Sequence, residues 1–367
     1  MQVKFLDLKK QYRQIKEEID KGVIDEIAEA DYILGRSLFK FEKDFAKYCQ
    51  AKYCVGVDSG TSALYLALKT VGIKKGDEVI TCANTFVSTL MAIEWCQAKA
   101  VLVDCDENGL IDINKISQVI SKKSKAIIPV DLYGQPTDIK KIRKVVGKKI
   151  KIIEDAAQAH GSRIDNTRAG KLADLTCFSF YPSKNLGAYG DGGAITTNNK
   201  IYFDKLKSLR NYGSSNKYYY NQKGFNHRLD SLQAKVLEIK LGYLDEWNRK
   251  RQRVSDIYRK QLNSIKQIRL LVSDEDFISN NYVFPIFIKD RDKLRSYLAD
   301  WGIETLIHYP RPIYLQEAYM NLGYKKGNFL MTESICDQEL SLPIYPELSN
   351  EQIMYVCEKT KDYYEKN

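Results

Sequence analysis

The sequence is poor in the features that mark membrane, secreted or metal-bound proteins. Among its 367 residues, no apolar run approaches the roughly 18–20 residues that a membrane-spanning helix needs. The opening Met1-Gln2-Val3-Lys4-Phe5-Leu6-Asp7 lacks the apolar core and small-residue cleavage site of a secretion signal. A cytoplasmic protein without a membrane partner is therefore expected. There are only three histidines, His160, His227 and His308, far apart in sequence, so no metal site is expected. The eight cysteines include no C-x-x-C pair. Cys54, Cys82, Cys105 and Cys177 lie in or beside apolar, strand-like runs, where a free thiol acts as a small buried apolar group.

What is present is the composition of an ordinary globular chain, 44% hydrophobic and 28% charged, long enough for a large domain and a smaller one. The net charge of +10 comes from scattered lysine pairs such as Lys9-Lys10, Lys74-Lys75, Lys140-Lys141 and Lys148-Lys149, interleaved with acids. No nucleic-acid recognition motif accompanies them. They read as a solvated basic surface, compatible with an anionic small substrate.

From residue 50 to 200, short apolar runs alternate with amphipathic stretches. The strand candidates are Tyr53–Val57, Glu78–Cys82, Ala100–Asp104, Ala126–Val130, Ile150–Glu154, Leu175–Phe180 and Gly193–Thr197. Helical stretches at Thr61–Thr70, Phe86–Gln97, Ile113–Ser121 and Asp138–Val146 lie between them. Doubly buried strands separated by helices predict an α/β fold with a mainly parallel sheet. A helical lead-in covers Gln11–Glu29 and Ser37–Cys49. Leu229–Leu262 reads as one long helical stretch. Beyond it the pattern predicts a strand at Val283–Ile288, a helix Arg291–Trp301 with Asp290 as N-cap, and a strand Glu304–Ile307. A last helix from about Asn350 is capped by Ser349. These features predict a large domain, 1–245, and a smaller C-terminal α+β domain, 246–367.

Chemistry gathers where strands end, because ligands bind outside the carboxyl ends of parallel strands. Lys184 stands just past the strand Leu175–Phe180, followed by the glycine-rich Gly187-Ala188-Tyr189-Gly190-Asp191-Gly192. A lysine amine can condense with an aldehyde cofactor and later carry a proton. The G-x-x-G-x-G spacing leads into a strand, which excludes a Rossmann dinucleotide site. Asp155, at the end of Ile150–Glu154, offers a carboxylate for a protonated pyridine nitrogen or, as the alternative, a helix N-cap. Gln158 follows and could donate to a ring oxygen. Ser59-Gly60-Thr61-Ser62 joins a strand to a helix and suits a phosphate, although simple capping by Ser59 or Thr61 explains it as well. Phe86, after Glu78–Cys82, could stack on a cofactor ring or simply join the core. A phosphate cup, a stacking aromatic, an acid for a ring nitrogen and an amine for an aldehyde together describe a pocket for pyridoxal 5'-phosphate (PLP).

The same residues resemble the DegT/DnrJ/EryC1/StrS group of sugar aminotransferases, which have the PLP fold-type I architecture. The likeness runs over nearly the whole chain. It includes Gly60-Thr61-Ser62-Ala63-Leu64, Ala83-Asn84-Thr85-Phe86, Leu132-Tyr133-Gly134-Gln135-Pro136, Glu154-Asp155-Ala156-Ala157-Gln158-Ala159-His160-Gly161 and Arg210-Asn211-Tyr212-Gly213. The stretch Phe178–Gly193 is similar to the branch that aminates C-3 of the sugar. The resemblance implies that Lys184 bonds the cofactor, Asp155 faces the pyridine nitrogen, Gln158 reaches the ring hydroxyl and Phe86 covers the ring. Gly60, Thr61, Ser62 and Ser179 would hold the phosphate. It also implies a homodimer with shared active sites, Asn226 reaching the phosphate from the other subunit. Tyr181, His308 and Tyr309 are placed near the substrate sugar, with Tyr181 and His308 also as catalytic candidates. Ser183 stands where glycine is common, and His227 where serine is more usual beside Asn226; the histidine could add a positive group near the nucleotide or simply fill space, and the second is expected.

The expected reaction is a ping-pong transamination in which glutamate, the amino donor in most of this family, loads the cofactor. A TDP-linked 3-keto-6-deoxyhexose then becomes a 3-amino-3,6-dideoxy sugar for surface polysaccharide such as lipopolysaccharide. The alternatives are a 4-aminotransferase acting on a UDP-linked 4-keto sugar, and a PLP-binding regulator without turnover. A dehydratase of the same family would carry histidine where this chain has Lys184.

Overall fold

The computed structural model describes residues 1–216, 218–272 and 276–366. The lead-in forms two helices, α1 (Leu8–Gln14) and α2 (Lys16–Glu29), which part at Ile15. Asp7 caps α1 by accepting the N–H groups of Lys9 and Lys10. The next helix, α3 (Arg36–Tyr48), is amphipathic: Leu38, Phe41, Phe45 and Ala46 are buried, while Lys40, Lys43 and Lys47 face water.

Strands and helices then alternate: β1 (Tyr53–Val57), α4 (Gly60–Thr70), β2 (Glu78–Cys82), α5 (Val87–Trp95), β3 (Lys99–Val103), α6 (Ile113–Val119), β4 (Ser124–Ile128), α7 (Ile139–Val146) and β5 (Lys151–Asp155). A small hairpin, β6 (Arg163–Ile164) and β7 (Thr167–Arg168), precedes β8 (Leu175–Ser179), β9 (Gly193–Thr197) and α8 (Lys200–Leu209). Seven strands form the main sheet in the order β1-β9-β8-β5-β4-β2-β3. The run from β8 to β3 is parallel, and β9 lies antiparallel between β1 and β8. All seven expected strands are present, three with the expected ends and four with an end shifted by a residue or two.

Alternate strand residues serve opposite faces of this sheet. Val79, Ile128 and Ile153 pack with Leu64, Leu68, Leu90 and Ile93 of α4 and α5. Ile80, Ile127 and Ile152 pack with Ile116, Ile139 and Ile142 of α6 and α7. Burial on both faces is why these strands read as continuous apolar runs. All eight cysteines are buried as free thiols.

The remainder comprises the hairpin β10 (Ser214–Asn216) and β11 (Tyr219–Tyr220), α9 (Ser231–Leu241), α10 (Leu244–Leu262), β12 (Arg269–Leu270), β13 (Phe277–Ile278), β14 (Phe284–Phe287), α11 (Arg291–Asp300), α12 (Leu330–Gln338), β15 (Glu339–Leu342) and α13 (Asn350–Lys366). Three expectations fail here. The single helix over Leu229–Leu262 is two helices. At Gly242 and Tyr243 the N–H groups bond three residues back, to Ile239 and Lys240, and glycine's poor helix propensity permits the break. Glu304–Ile307 is not a strand, because its backbone divides between two partners. Glu304 N–H bonds Val3, whereas Leu306 pairs with Ser341. Asp290 makes no capping bond and instead pairs with Lys293 at 3.2 Å. Ser349 does cap α13: its hydroxyl accepts the Gln352 N–H, and Gln352 Oε1 accepts the Ser349 N–H, each at 3.2 Å. This is a reciprocal capping box. The sheet β12-β14-β15 shares a core with α10, α11 and α13 through Tyr258, Ile286, Leu298, Leu340 and Ile353. Among the described residues no helix is long and apolar enough to cross a membrane.

Candidate active site

Sheet register brings the functional segments together. Gly193, the first residue of β9, lies opposite both Val57 at the end of β1 and Ser179 at the end of β8. The strand ends therefore converge, and closely: a Cβ on Gly193 would sit 2.4 Å from the Ser59 carbonyl oxygen, and one on Gly60 2.7 Å from Ser179 Cβ. Only glycine allows both approaches. Helix α4 starts at this junction. The Ser59 hydroxyl accepts the Ser62 N–H at 3.1 Å and its carbonyl accepts the Ala63 N–H at 3.0 Å. The first-turn N–H groups of Gly60 and Thr61, which an α-helix leaves without internal partners, are left for an anion.

Beside this junction opens a cavity of about 320 Å³. Gly60, Thr61, Phe86, Asp155, Gln158, Ser179, Tyr181, Lys184, His308 and Tyr309 all line it. Residues from four strand ends and their loops, and from the segment after α11, thus share one space. A second cavity of similar size, about 280 Å³, is lined by Asn108, Gln252, Ser255, Arg259, Asn281 and Pro285 among others and holds none of the expected residues.

Each wall has a local cause. Asp155 closes β5 and is followed by turns, so the helix-cap alternative is not realised. Its oxygens accept from Thr89 Oγ1 at 3.1 Å and from the Ala157 N–H at 3.2 Å. Burial raises its pKa, while those bonds and the Lys184 charge oppose the rise. Gln158 Oε1 accepts the Tyr133 N–H at 2.7 Å, and its Nε2 lies 3.3 Å from the Tyr309 hydroxyl. Phe86 is not a core residue: it is 49% exposed on the cavity wall, its ring 5.4 Å from that of Tyr309. Burial pushes the His308 imidazole down to about 4, helped by the Lys184 charge.

The lysine loop is folded back on itself. Lys184 N–H bonds the Tyr181 carbonyl at 2.8 Å, Ala188 N–H the Phe180 carbonyl at 2.8 Å, and Phe180 N–H the Gly192 carbonyl at 2.7 Å. Lys240 of α9 donates to the Gly187 carbonyl at 2.7 Å from a fully buried position, and burial brings its own pKa down to about 7.

Ser62 and Asn226 are the expected residues that do not line the cavity. The Ser62 hydroxyl lies 3.0 Å from Ser59 Oγ and 3.2 Å from His227 Nδ1, while Asn226 bridges to Asn211. His227 does more than fill space: its Nδ1 is 2.9 Å from the Asp58 carboxylate, and its ring stacks on Phe225. Sequence reasoning did not select Tyr282, Asp191 or Lys240. Tyr282 and Asp191 line the cavity. Tyr282 sits more than ninety residues after Lys184, in a segment with no spacing signal that ties it to the lysine.

The fold and this site define a PLP-dependent aminotransferase of fold-type I. Comparison with known proteins gives the family. The model of the DegT/DnrJ/EryC1/StrS aminotransferase family matches residues 13–361, and the chain belongs to that family. It is 42% identical over 98% of its length to a "dTDP-3-amino-3,6-dideoxy-alpha-D-galactopyranose transaminase" of Aneurinibacillus thermoaerophilus, covering 99% of that protein. It is 40% identical, over 99% of each chain, to a "pleiotropic regulatory protein" of Geobacillus stearothermophilus. The crystal structure of Streptomyces venezuelae DesV in complex with a ketimine intermediate superposes with a TM-score of 0.97 at 39% identity, covering 99% of this chain and 98% of that one.

The residues present fit PLP. The two glycines that tolerate no Cβ bring helix N–H groups against Ser179, as a phosphate requires. A buried carboxylate at Asp155 faces the same space as the Lys184 amine and the half-exposed Phe86 ring.

Proposed function

We propose that the protein transfers an amino group to C-3 of a TDP-linked 3-keto-6-deoxyhexose, making a 3-amino-3,6-dideoxy sugar for surface polysaccharide, with glutamate as donor. The observation that carries this reading is the single cavity joining Lys184, Asp155 and the glycine-lined start of α4. C-3 is supported by the Tyr181–Gly193 sequence and by the product named for the A. thermoaerophilus relative.

Gly60, Thr61 and Ser179 hold the cofactor phosphate, with Ser62 stiffening the cup from behind through Ser59. Phe86 covers one ring face, Gln158 reaches the ring oxygen, and Asp155 keeps the pyridine nitrogen protonated. Bound PLP supplies an electron sink for the carbon that loses its proton. Lys184 moves that proton as the general base. Tyr181, His308 and Tyr309 border the space left for the sugar, with the neutral His308 ring as a hydrogen-bonding or proton-accepting group. A second copy of the chain completes each site by bringing its Asn226 to the phosphate; in its own chain Asn226 lies outside the cavity. The enzyme works in the cytoplasm as a homodimer, built from units 1–245 and 246–367.

The test is the visible absorption of the purified protein, before and after glutamate. A yellow band that glutamate bleaches, absent from Lys184→Ala together with all turnover, is the expected result. NMR of the product reads the regiochemistry, and amination at C-4 of a UDP-linked sugar would overturn the C-3 assignment. A band that no amino donor bleaches would favour a regulator without turnover, the reading suggested by the name of the G. stearothermophilus relative.

A further inference from the structure

Lys184 Nζ lies 4.3 Å from the centroid of the Tyr282 ring. The phenol is 3.4 Å from the Ser183 hydroxyl, next to the lysine in sequence. The backbone carrying Tyr282 is clamped from both sides. Asn280 donates to the carbonyls of Gln158 at 2.9 Å and His160 at 3.2 Å, and its own carbonyl accepts from Asn185 at 2.9 Å. The buried Arg251 donates to the carbonyls of Asn281, Tyr282 and Ile344 at 3.2, 3.1 and 2.8 Å. The ring is therefore fixed relative to both the lysine loop and the Asp155–Gln158 wall.

A lysine that bonds a cofactor and later acts as a base must spend part of each cycle unbonded. During that time its ammonium has to remain in the cavity without being pinned. A carboxylate at contact distance would hold it tightly and compete for its proton. The face of an aromatic ring attracts a cation through its quadrupole and accepts no proton. We propose that the Tyr282 ring is the station at which the Lys184 ammonium rests while the lysine is not bonded to the cofactor. Tyr282 is thus a positioning residue for the amine. This inference rests on the function proposed above.

The other ionisable groups around the amine include the Asp155 carboxyl on β5 and the rings of His160 and His308 on two further segments; Asp191 and the phenols of Tyr181 and Tyr309 line the same cavity. Burial alone would raise the phenol pKa of Tyr282; the lysine charge, hydrogen bonding by Ser183 and by Lys184 itself, and the Arg251 charge outweigh it and hold the pKa below its ordinary value. That direction reflects a cation kept beside this side chain, and the 4.3 Å approach to the ring centroid places it over the ring.

The experiment uses the full chain stripped of cofactor. Acetylation of Lys184 by acetic anhydride is followed against pH by mass spectrometry, giving the midpoint at which the amine becomes reactive. Tyr282→Phe keeps the ring and removes only the phenol's share of the contact, so it should lower the midpoint by less than half as much as loss of the ring does. Tyr282→Leu should lower it by about one pH unit, the scale of a desolvated cation–ring contact. Phenylalanines bearing one, two and three ring fluorines at position 282 keep the shape while draining the ring face, and the midpoint should fall stepwise along that series. The series decides the matter if the leucine variant does not fold. A midpoint indifferent to the ring would overturn the inference. PLP added to the wild type should block acetylation of Lys184. Failure of that protection would overturn the proposed function and this inference with it. Intact protection with a ring-independent midpoint overturns the inference alone.

Discussion

Glu339, at the start of β15, is a carboxyl shut away from water behind His308. Its oxygens accept from the His308 N–H and from the Ser341 hydroxyl, each at 2.5 Å, and the Ser341 oxygen lies 2.9 Å from His308 Nδ1. With the serine hydrogen given to Glu339, its oxygen accepts from Nδ1–H, which leaves the His308 lone pair on Nε2. Burial raises the Glu339 pKa from 4.5 to about 7 against the opposing pull of Ser341, the His308 N–H and Arg291. A folded-state pKa above the unfolded value means that the native state holds the proton more tightly. Its contribution to stability is complete below the unfolded pKa and is lost as pH rises through about 7. The Glu339→Gln variant, which does not titrate, should therefore gain on the wild type across that window, by up to about 3 kcal/mol. Urea unfolding of both proteins at pH 4.5, 6 and 8 checks this, and a constant difference would contradict it. At the cavity itself, Asp155→Asn keeps the shape but not the charge. Turnover with the keto-sugar should fall by about a hundredfold or more, because in the role proposed for Asp155 the pyridine nitrogen would lose the anion that keeps it protonated; single-turnover kinetics reads it.

At the scale of elements, the strand leading into the proposed phosphate cup is held by a buried ion pair. Glu42 of α3 and Arg210 after α8 pair with one another, and both bond Gly56 of β1. Glu42 accepts its N–H at 2.7 Å, and Arg210 donates to its carbonyl at 2.7 Å. Removing one partner leaves the other charge buried and alone, so Arg210→Ala should cost about 3–5 kcal/mol. The exposed pair Lys200–Asp204 on α8 is the control, and Lys200→Ala should shift the urea midpoint little, since water screens it. The lysine loop shows the same logic on a smaller scale. Its glycines allow the tight fold, as a Cβ on Gly187 would lie 2.3 Å from the Pro182 carbonyl oxygen, and Lys240 ties the loop to α9.

For the whole molecule, the proposed sharing of sites between two copies has a quantitative consequence. Lys184→Ala would remove the proposed base from its own subunit, while Asn226→Asp would set a carboxylate against the phosphate proposed for the partner's site. Each homodimer should be inactive. Unfolded together and refolded, half of the dimers would be mixed, and each mixed dimer would hold one site with neither defect. Activity should then recover to roughly a quarter of the wild-type value, as two-fold symmetry with shared sites requires. No recovery from two inactive homodimers would place Asn226 in its own subunit's site, and an active Asn226→Asp homodimer would place it away from both sites.

Much of this was legible along the chain because it is local. The seven main strands show in the sequence, since burial on both faces makes each an apolar run. The glycine-rich loop after Lys184, the acid ending β5 and the small residues opening α4 also lie beside the strands that aim them. The Ser349 cap needs only its own turn. Where packing decided instead, local pattern was insufficient. Periodicity continues through Gly242, yet the helix breaks there. Glu304–Ile307 looks like a strand, but its hydrogen bonds go to Val3 and to Ser341. Tyr282 meets Lys184, Lys240 meets Gly187, and Glu339 stands behind His308 only because separate elements fold against one another. Short-range pattern therefore determined the elements and most of the cavity wall. Tertiary structure alone decided which distant side chains surround the lysine, because such contacts depend on sheet register and on the clamp of Asn280 and Arg251, neither of which has a spacing in the sequence.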